Sequence, residues 1–398
     1  MVDINDPKGY EDKKSRCLAA VKDADINNRD REAILTLYEL REASGEFEAS
    51  TQATLLTNLK RVAEITEKPI VEWEHASHHS DHTEFFASIS DGSNPNAPDD
   101  GYSDSYVGNL RRSVSVFLNH LDREWNEDIQ VGQPSDGQIT EEDCFTPDET
   151  NRLFAVTDVR DSAIIAMWLA TGQRLAGMAS IYAKDVTVQG NRGGFNLNPK
   201  AIGLKGAEGY RPLLWSTPYV MRWLNQHPTY SHDDPAAALF VATRSGPNYD
   251  RGDPLGPSGF TKMLKRACER AGVSQSKAQT HRLRHTAIRR MIRDGLSDQW
   301  IKYMVGWGED SPQLRRYGSL KDKTKARDIE EHYGLTPENE EGDHRLFNSC
   351  PACDTSVAEL TEASYCPSCG LPLSHDTERM EVEIENRLYA NGDRIDDE

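Results

Sequence analysis

Three short stretches of the chain gather side chains suited to handling a phosphate. Residues 163–186 read AIIAMWLATGQRLAGMASIYAKDV, with Arg174 after a run of small residues. Residues 281–286 read HRLRHT, and residues 304–317 read MVGWGEDSPQLRRY, ending on Tyr317. A guanidinium is a planar fork of donors that stays charged at any working pH, so Arg174 and Arg284 suit the non-bridging oxygens of a phosphodiester. His281 stands three residues before Arg284, which puts both on one face of a helix. The Trp307 indole can donate one hydrogen bond but cannot move a proton. A free phenol titrates near 10, so Tyr317 becomes a nucleophile only with help from surrounding cations. Taken singly, each residue has a plainer reading. Tyr317 alone is a half-buried core ring, Arg284 a salt-bridge partner, Trp307 a core anchor, and His281 and His285 satisfied helix histidines. Their order, and the basic segment around them, favour a joint role.

A fourth cluster is of another kind. Four of the seven cysteines form Cys-Pro-Ala-Cys (Cys350, Cys353) and Cys-Pro-Ser-Cys (Cys366, Cys369), twelve residues apart. Two such knuckles resemble a zinc ribbon, in which tetrahedral thiolate ligation lets a very short segment fold. Two disulfides or reduced surface thiols are the alternatives. The opening residues lack an apolar export segment, which weighs against disulfides. Cys17, Cys144 and Cys268 belong to no motif and read as packing thiols.

The three phosphate-handling stretches, in this order and at this spacing, resemble the tyrosine recombinase (phage integrase) family over about residues 145–335, with a XerC/XerD-like arrangement. The resemblance implies that Arg174 and Arg284 clamp the scissile phosphate, that His281 assists proton transfer, and that Trp307 hydrogen-bonds the phosphate. It implies that Tyr317 attacks phosphorus to give a 3′-phosphotyrosine and a free 5′-hydroxyl. The covalent link preserves the phosphodiester energy, so rejoining needs no nucleotide and catalysis needs no cofactor. Lys205, in GLKGAEGYRPLL, matches the lysine of the family's β-hairpin and would protonate the leaving 5′-oxygen. It follows Arg174 by 31 residues, with GNRGG inserted between them. His285 would support its helix. One departure stands out. The family has a carboxylate three residues after the first Arg, where this chain has Gly177, with Asp185 as a substitute.

Composition narrows the classes. The chain has 398 residues, a net charge of −19 and 37% hydrophobic residues, with a mean hydropathy of −0.70. No stretch approaches the roughly 20 apolar residues of a membrane span, which excludes an integral membrane protein and points to the cytoplasm. The charge is uneven: −18 over residues 1–150, +12 over 151–330 and −13 over 331–398. Residues 261–290 hold 9 Lys and Arg against 1 Glu. Such a segment is the footprint of a polyanion partner, or else a basic helix neutralised by the acidic remainder. The acid surplus resembles that of halophilic archaeal proteins, in whose salt counterion release adds little to DNA affinity.

The elements that must carry these residues can be outlined. Leu55, Leu56, Leu59 and Val62 fall at helical spacing, as do Leu110, Val114, Phe117 and Leu118, and Ile34, Leu37 and Tyr38 form a shorter stripe. Helices are expected at 161–171, 217–226, 258–272, 283–294 and 298–305, with a hairpin across AIGLKGAEGYRPLLW. QPSDGQITEED (133–143) reads as a linker. The expected fold is multidomain. Residues 1–132 form an all-α DNA-clamp domain, matching the family's core-binding domain in position. Residues 145–335 form a mixed α+β catalytic domain, mainly helical with a small antiparallel sheet. Residues 345–375 form the zinc-ribbon module, and 376–398 an acidic tail or helix.

The expected function is a site-specific DNA recombinase acting on double-stranded DNA at inverted-repeat sites as a homodimer or homotetramer, with no membrane partner. Two other readings fit parts of the sequence: a type IB topoisomerase-like nicking-closing enzyme, and a non-catalytic DNA-binding regulator that keeps the fold. Two measurements follow from the composition alone. Elemental analysis should find about one zinc per chain, and unchanged zinc in Cys350→Ser protein would contradict the ribbon. Stability should rise steeply from low to molar potassium chloride, and equal stability at both would refute the halophilic reading.

Overall fold

The computed structural model describes residues 2–318 apart from 46, 77–78, 130–136, 190–191 and 231–235, together with residues 321 and 355. Cys350, Cys353, Cys366, Cys369 and the segment 376–398 lie outside the described residues. The chain divides into two compact units. One comprises residues 8–137, the other residues 1–7 together with everything from Gln138 onward. Among the described residues no helix is long and apolar enough to cross a membrane.

The unit of residues 8–137 is built on five helices: α1 (Tyr10–Lys22), α2 (Asn28–Ser44), α3 (Ala49–Ile65), α4 (Asp81–Asp91) and α5 (Asp104–His120). The apolar stripes are its core. Leu59, Val62, Leu110, Val114 and Phe117 are fully buried, each contributing about 1.5–3 kcal/mol of apolar transfer. The Asn27 side chain caps α2 by accepting from the Arg29 N–H at 2.9 Å. A buried carboxylate, Asp30, accepts the Ile70 and Val71 N–H groups at 2.9 Å each and pins the chain after α3. A two-residue antiparallel ribbon, β1 (His75–Ala76) with β2 (His79–Ser80), falls where no strand pattern marks the sequence.

The second unit surrounds α7 (Val159–Thr171), which follows α6 (Pro147–Val156). Asp158 caps α7 through the Asp161 N–H at 2.9 Å. From Ala163 to Thr171 every residue of α7 is buried, the signature of a helix at the centre of a core. The short α8 (Leu175–Ala179) comes next, then a sheet of β3 (Val186–Gln189), β4 (Arg192–Asn196) and β5 (Tyr210–Pro212). It is antiparallel in the order β3-β4-β5. Helices α9 (Thr217–Leu224), α10 (Pro257–Arg270), α11 (Thr280–Arg293) and α12 (Asp298–Val305) complete the unit, close to the expected helical spans.

Two details differ from the sequence reading. The paired strands lie outside the loop that carries Lys205: Asn196 pairs with Tyr210, so residues 197–209 form one long connection, and Arg192, Gly193 and Gly194 of the insert lie in β4. Gly203, Lys205, Gly206 and Gly209 all have positive φ, which breaks strand geometry through that stretch. Residues 2–7 cluster with the catalytic unit, although sequence reading grouped them with residues 8–132. Ile4 is buried in the core of the second unit, and the Asn5 carbonyl accepts the Ile202 N–H at 2.7 Å.

Candidate active site

Three helix ends meet at the arginines. Arg284, on α11, is 4% exposed. Its Nη1 donates to the Gly172 carbonyl at 2.5 Å and to the Val305 carbonyl at 2.8 Å. These carbonyls end α7 and α12, where peptide groups have no helical acceptor role left and carry the negative end of the helix dipole. Arg174 follows α7 and donates from Nη1 to the Gly306 carbonyl at 2.7 Å and to Leu204 at 3.4 Å. Two consecutive carbonyls, Val305 and Gly306, thus hold the two guanidiniums side by side. Gln173, buried between Gly172 and Arg174 in sequence, ties the same ends together through the Met304 carbonyl at 2.6 Å and Thr171 at 3.3 Å. Gly172 has a φ of +61°, and a Cβ there would stand 3.0 Å from Val305 Cγ1 and 3.3 Å from Ala287 Cβ.

The cluster carries surplus positive charge. Burial, with Arg174's like charge second, pulls the Arg284 guanidinium down to about 9, which leaves it protonated at neutral pH. Burial lowers Arg174 as well. The Arg284 Nη2 is buried with no hydrogen-bond partner among the described residues. An unsatisfied buried donor on a charged group costs several kcal/mol at most sites, and an anion seated between the arginines would satisfy it. The Arg284 guanidinium carbon lies 5.2 Å from the centre of the Trp307 ring, and that ring lies 6.3 Å from Tyr317.

Tyr317 closes the short helical turn Pro312–Tyr317 and is 2% exposed. Its hydroxyl lies 2.7 Å from His285 Nδ1. Burial, and then the neighbouring His281, depress the His285 imidazole to about 4, so it is neutral and Nδ1 accepts the phenolic hydrogen when Nε2 carries the ring hydrogen. Burial pushes the Tyr317 phenol well above its ordinary range, with the Arg284 charge opposing. The hydroxyl is therefore held protonated, beside a base and beside a cation.

The other expected residues are placed as follows. His281 is exposed, its ring 5.6 Å from that of His285; the hydroxyl of Tyr317 is met by His285. Lys205 is exposed on the 197–209 loop. Its loop reaches the site through the Leu204 carbonyl on Arg174 and through Ala207, whose Cβ lies 2.5 Å from where a Cβ on Gly306 would be. Gly177 sits against Leu197, with Gln173 Oε1 at 3.7 Å from its Cβ position. The charge that acts on Asp185 is Lys184, not either arginine. The His285–Tyr317 bond and the carbonyl clasp of residues 305–306 had no signature beyond adjacency to Arg284 and to Trp307.

Residues 143–324 match the model of the phage integrase family. This stretch, 182 of the chain's 398 residues, is similar to that family. No curated protein matches the chain. Its fold is that of the Tn1549 transposon integrase. A structure of that protein with transposon right end DNA shares 16% identity, covers 75% of this chain and 99% of that chain, and gives a TM-score of 0.53. A second, with circular intermediate DNA, shares 15% identity over 74% and 98% of the two chains, with a TM-score of 0.50. The XerH site-specific recombinase bound to palindromic difH substrate matches at 14% identity over 83% and 97%, with a TM-score of 0.49. The matched stretch contains the helix ends that clasp Arg174 and Arg284.

The neutral His285 sets a pH dependence for this domain. Its folded value of about 4 lies below the ordinary 6.5, so the unfolded chain binds a proton first as pH falls. Stability contributed by neutral His285 is complete above pH 6.5 and is lost between 6.5 and about 4, at up to about 1.4 kcal/mol per pH unit. Denaturant titrations of the domain across this window should show that slope, and His285→Gln should remove about one proton's worth. A slope unchanged in the variant would contradict a neutral His285.

Proposed function

We propose that the chain is a site-specific DNA recombinase of the XerC/XerD kind that cuts and rejoins double-stranded DNA through a 3′-phosphotyrosine. The observation that carries this is the buried, unpartnered Nη2 of Arg284 beside Arg174, with the Tyr317 hydroxyl in the same cluster. A phosphodiester seated there would satisfy the orphan donor and neutralise the paired cations. Tyr317 Oη attacks phosphorus while its proton passes to His285 Nδ1. The bond from phosphorus to the 5′-oxygen breaks, and Lys205 gives that oxygen a proton. Trp307 and His281 add hydrogen bonds to the phosphate. Rejoining is the reverse, with the 5′-hydroxyl as nucleophile.

Tyr317 is 2% exposed, so DNA must open the Pro312–Tyr317 turn or displace its cover for attack. The two solved integrase complexes of this fold hold transposon DNA, which supports DNA as this chain's substrate. The basic segment 261–290 supplies the matching charge. We further propose inverted-repeat target sites bound by a homodimer or homotetramer, residues 8–137 as the core-binding clamp, a structural zinc on Cys350, Cys353, Cys366 and Cys369, and a high-salt cytoplasm as the setting. The motif spacing and the acidic composition support these.

A nicked suicide duplex tests the chemistry, because loss of the short 5′ strand traps the covalent protein. Wild-type protein should accumulate the adduct, Tyr317→Phe should form none, and Arg284→Ala should slow it by about 10²–10³. A Tyr317→Phe protein that still captures DNA would overturn the assignment.

A further inference from the structure

Residues 2–7 lie over the loop that presents Lys205. Ile4 is buried in the core of the catalytic unit, and Val2 packs 2.9 Å from the Cβ position of Gly256. Asn5 makes the specific contacts. Its carbonyl accepts the Ile202 N–H at 2.7 Å. Its Oδ1 accepts from Asn198 Nδ2 at 2.9 Å and from the Tyr182 hydroxyl at 3.4 Å. Asn198 is buried, and its own Oδ1 accepts the Lys200 N–H at 3.0 Å. Asn5 therefore fastens the first part of the loop, residues 198–202. The second part is fastened by the Leu204 carbonyl on Arg174 and by Ala207 against Gly306.

Lys205 stands inside the second fastening, between Leu204 and Ala207 and three residues after Ile202, in left-handed backbone with a φ of 55°. A lysine gains nothing from that conformation by itself. Such backbone persists where its surroundings over-determine it. Releasing either fastening would let the loop relax and the ammonium wander.

We propose that Asn5 is a positioning residue for Lys205: residues 2–7 act as a strap that holds the loop so that the ammonium meets the leaving 5′-oxygen. This rests on Lys205 being the general acid of the proposed reaction. The strap belongs to the chain just before the helical unit begins at residue 8. The strap touches neither DNA nor the reacting atoms in this account. It acts only through the loop.

The test uses full-length protein and two suicide duplexes, one with the ordinary bridging 5′-oxygen and one with sulfur in its place. A thiolate leaves without being protonated, so the sulfur substrate removes the need for an acid. Lys205→Ala should slow the oxygen substrate by about 10²–10⁴ and leave the sulfur substrate nearly unchanged. Asn5→Ala should slow the oxygen substrate by about tenfold and the sulfur substrate by less than about twofold. Combined with Lys205→Ala it should add no further loss, as expected for residues acting as one unit. Asn5→Asp, which keeps the acceptor, should recover most of the rate, and Asn198→Ala should reproduce the Asn5→Ala pattern. If Asn5→Ala and Asn198→Ala slow both substrates alike, or neither, while Lys205→Ala slows only the oxygen substrate, the strap is refuted and the general acid stands. If Lys205→Ala slows both substrates alike, the general-acid assignment falls and the strap falls with it.

Discussion

The unit that carries Arg174 and Arg284 is organised around two adjacent carbonyls. Val305 and Gly306 end α12 and hold Arg284 and Arg174 respectively. The end of α7 contributes a third carbonyl, Gly172, to Arg284. Two guanidiniums placed this close repel each other, and burial removes the water that would screen them. The negative ends of two helices offset part of that cost. Among the described residues nothing satisfies Arg284 Nη2. Much of the unit serves this arrangement. The core around α7 fixes one helix end, α11 delivers Arg284, and Gln173 ties the end of α7 to α12.

Tyr317 is arranged differently. Charge and helix ends hold the arginine pair, whereas apolar packing sets the state of Tyr317. Its ring lies with Cys144, Ile288, Met291 and Leu314 in a small apolar cluster, and this burial raises the phenol rather than activating it. The Arg284 charge opposes that rise, and the neutral His285 holds the hydroxyl. The phenol is thus protonated and covered, beside two buried guanidiniums.

The helical unit of residues 8–137 stands on its own core, with Asp30 as its buried polar fastening. Its stripes were legible because burial on one face imposes a period of 3.6 residues on a helix. The same holds for α7, α10, α11 and α12, whose spans the pattern of apolar residues and caps located closely. The sheet was less legible. Gly193 and Gly194 are poor strand formers, yet β4 runs through them because a Cβ on Gly194 would collide with the Tyr210 ring across the sheet. Such a strand is selected by its neighbour and carries no local pattern.

The amino-acid sequence by itself determined which residue types were present to do phosphate chemistry, Arg174, His281, Arg284, Trp307 and Tyr317, and on which helices or turns they would ride. Those facts are local: they depend on spacing along one chain segment and on side-chain chemistry. Tertiary structure alone decided that His285 meets the Tyr317 hydroxyl while His281 faces outward, that carbonyls 305 and 306 clasp the arginines, and that Asn5 reaches a loop nearly two hundred residues away. These depend on where helix ends and loops converge after folding. A backbone carbonyl has the same chemistry at every position, so nothing in its residue type announces that it will hold a cation.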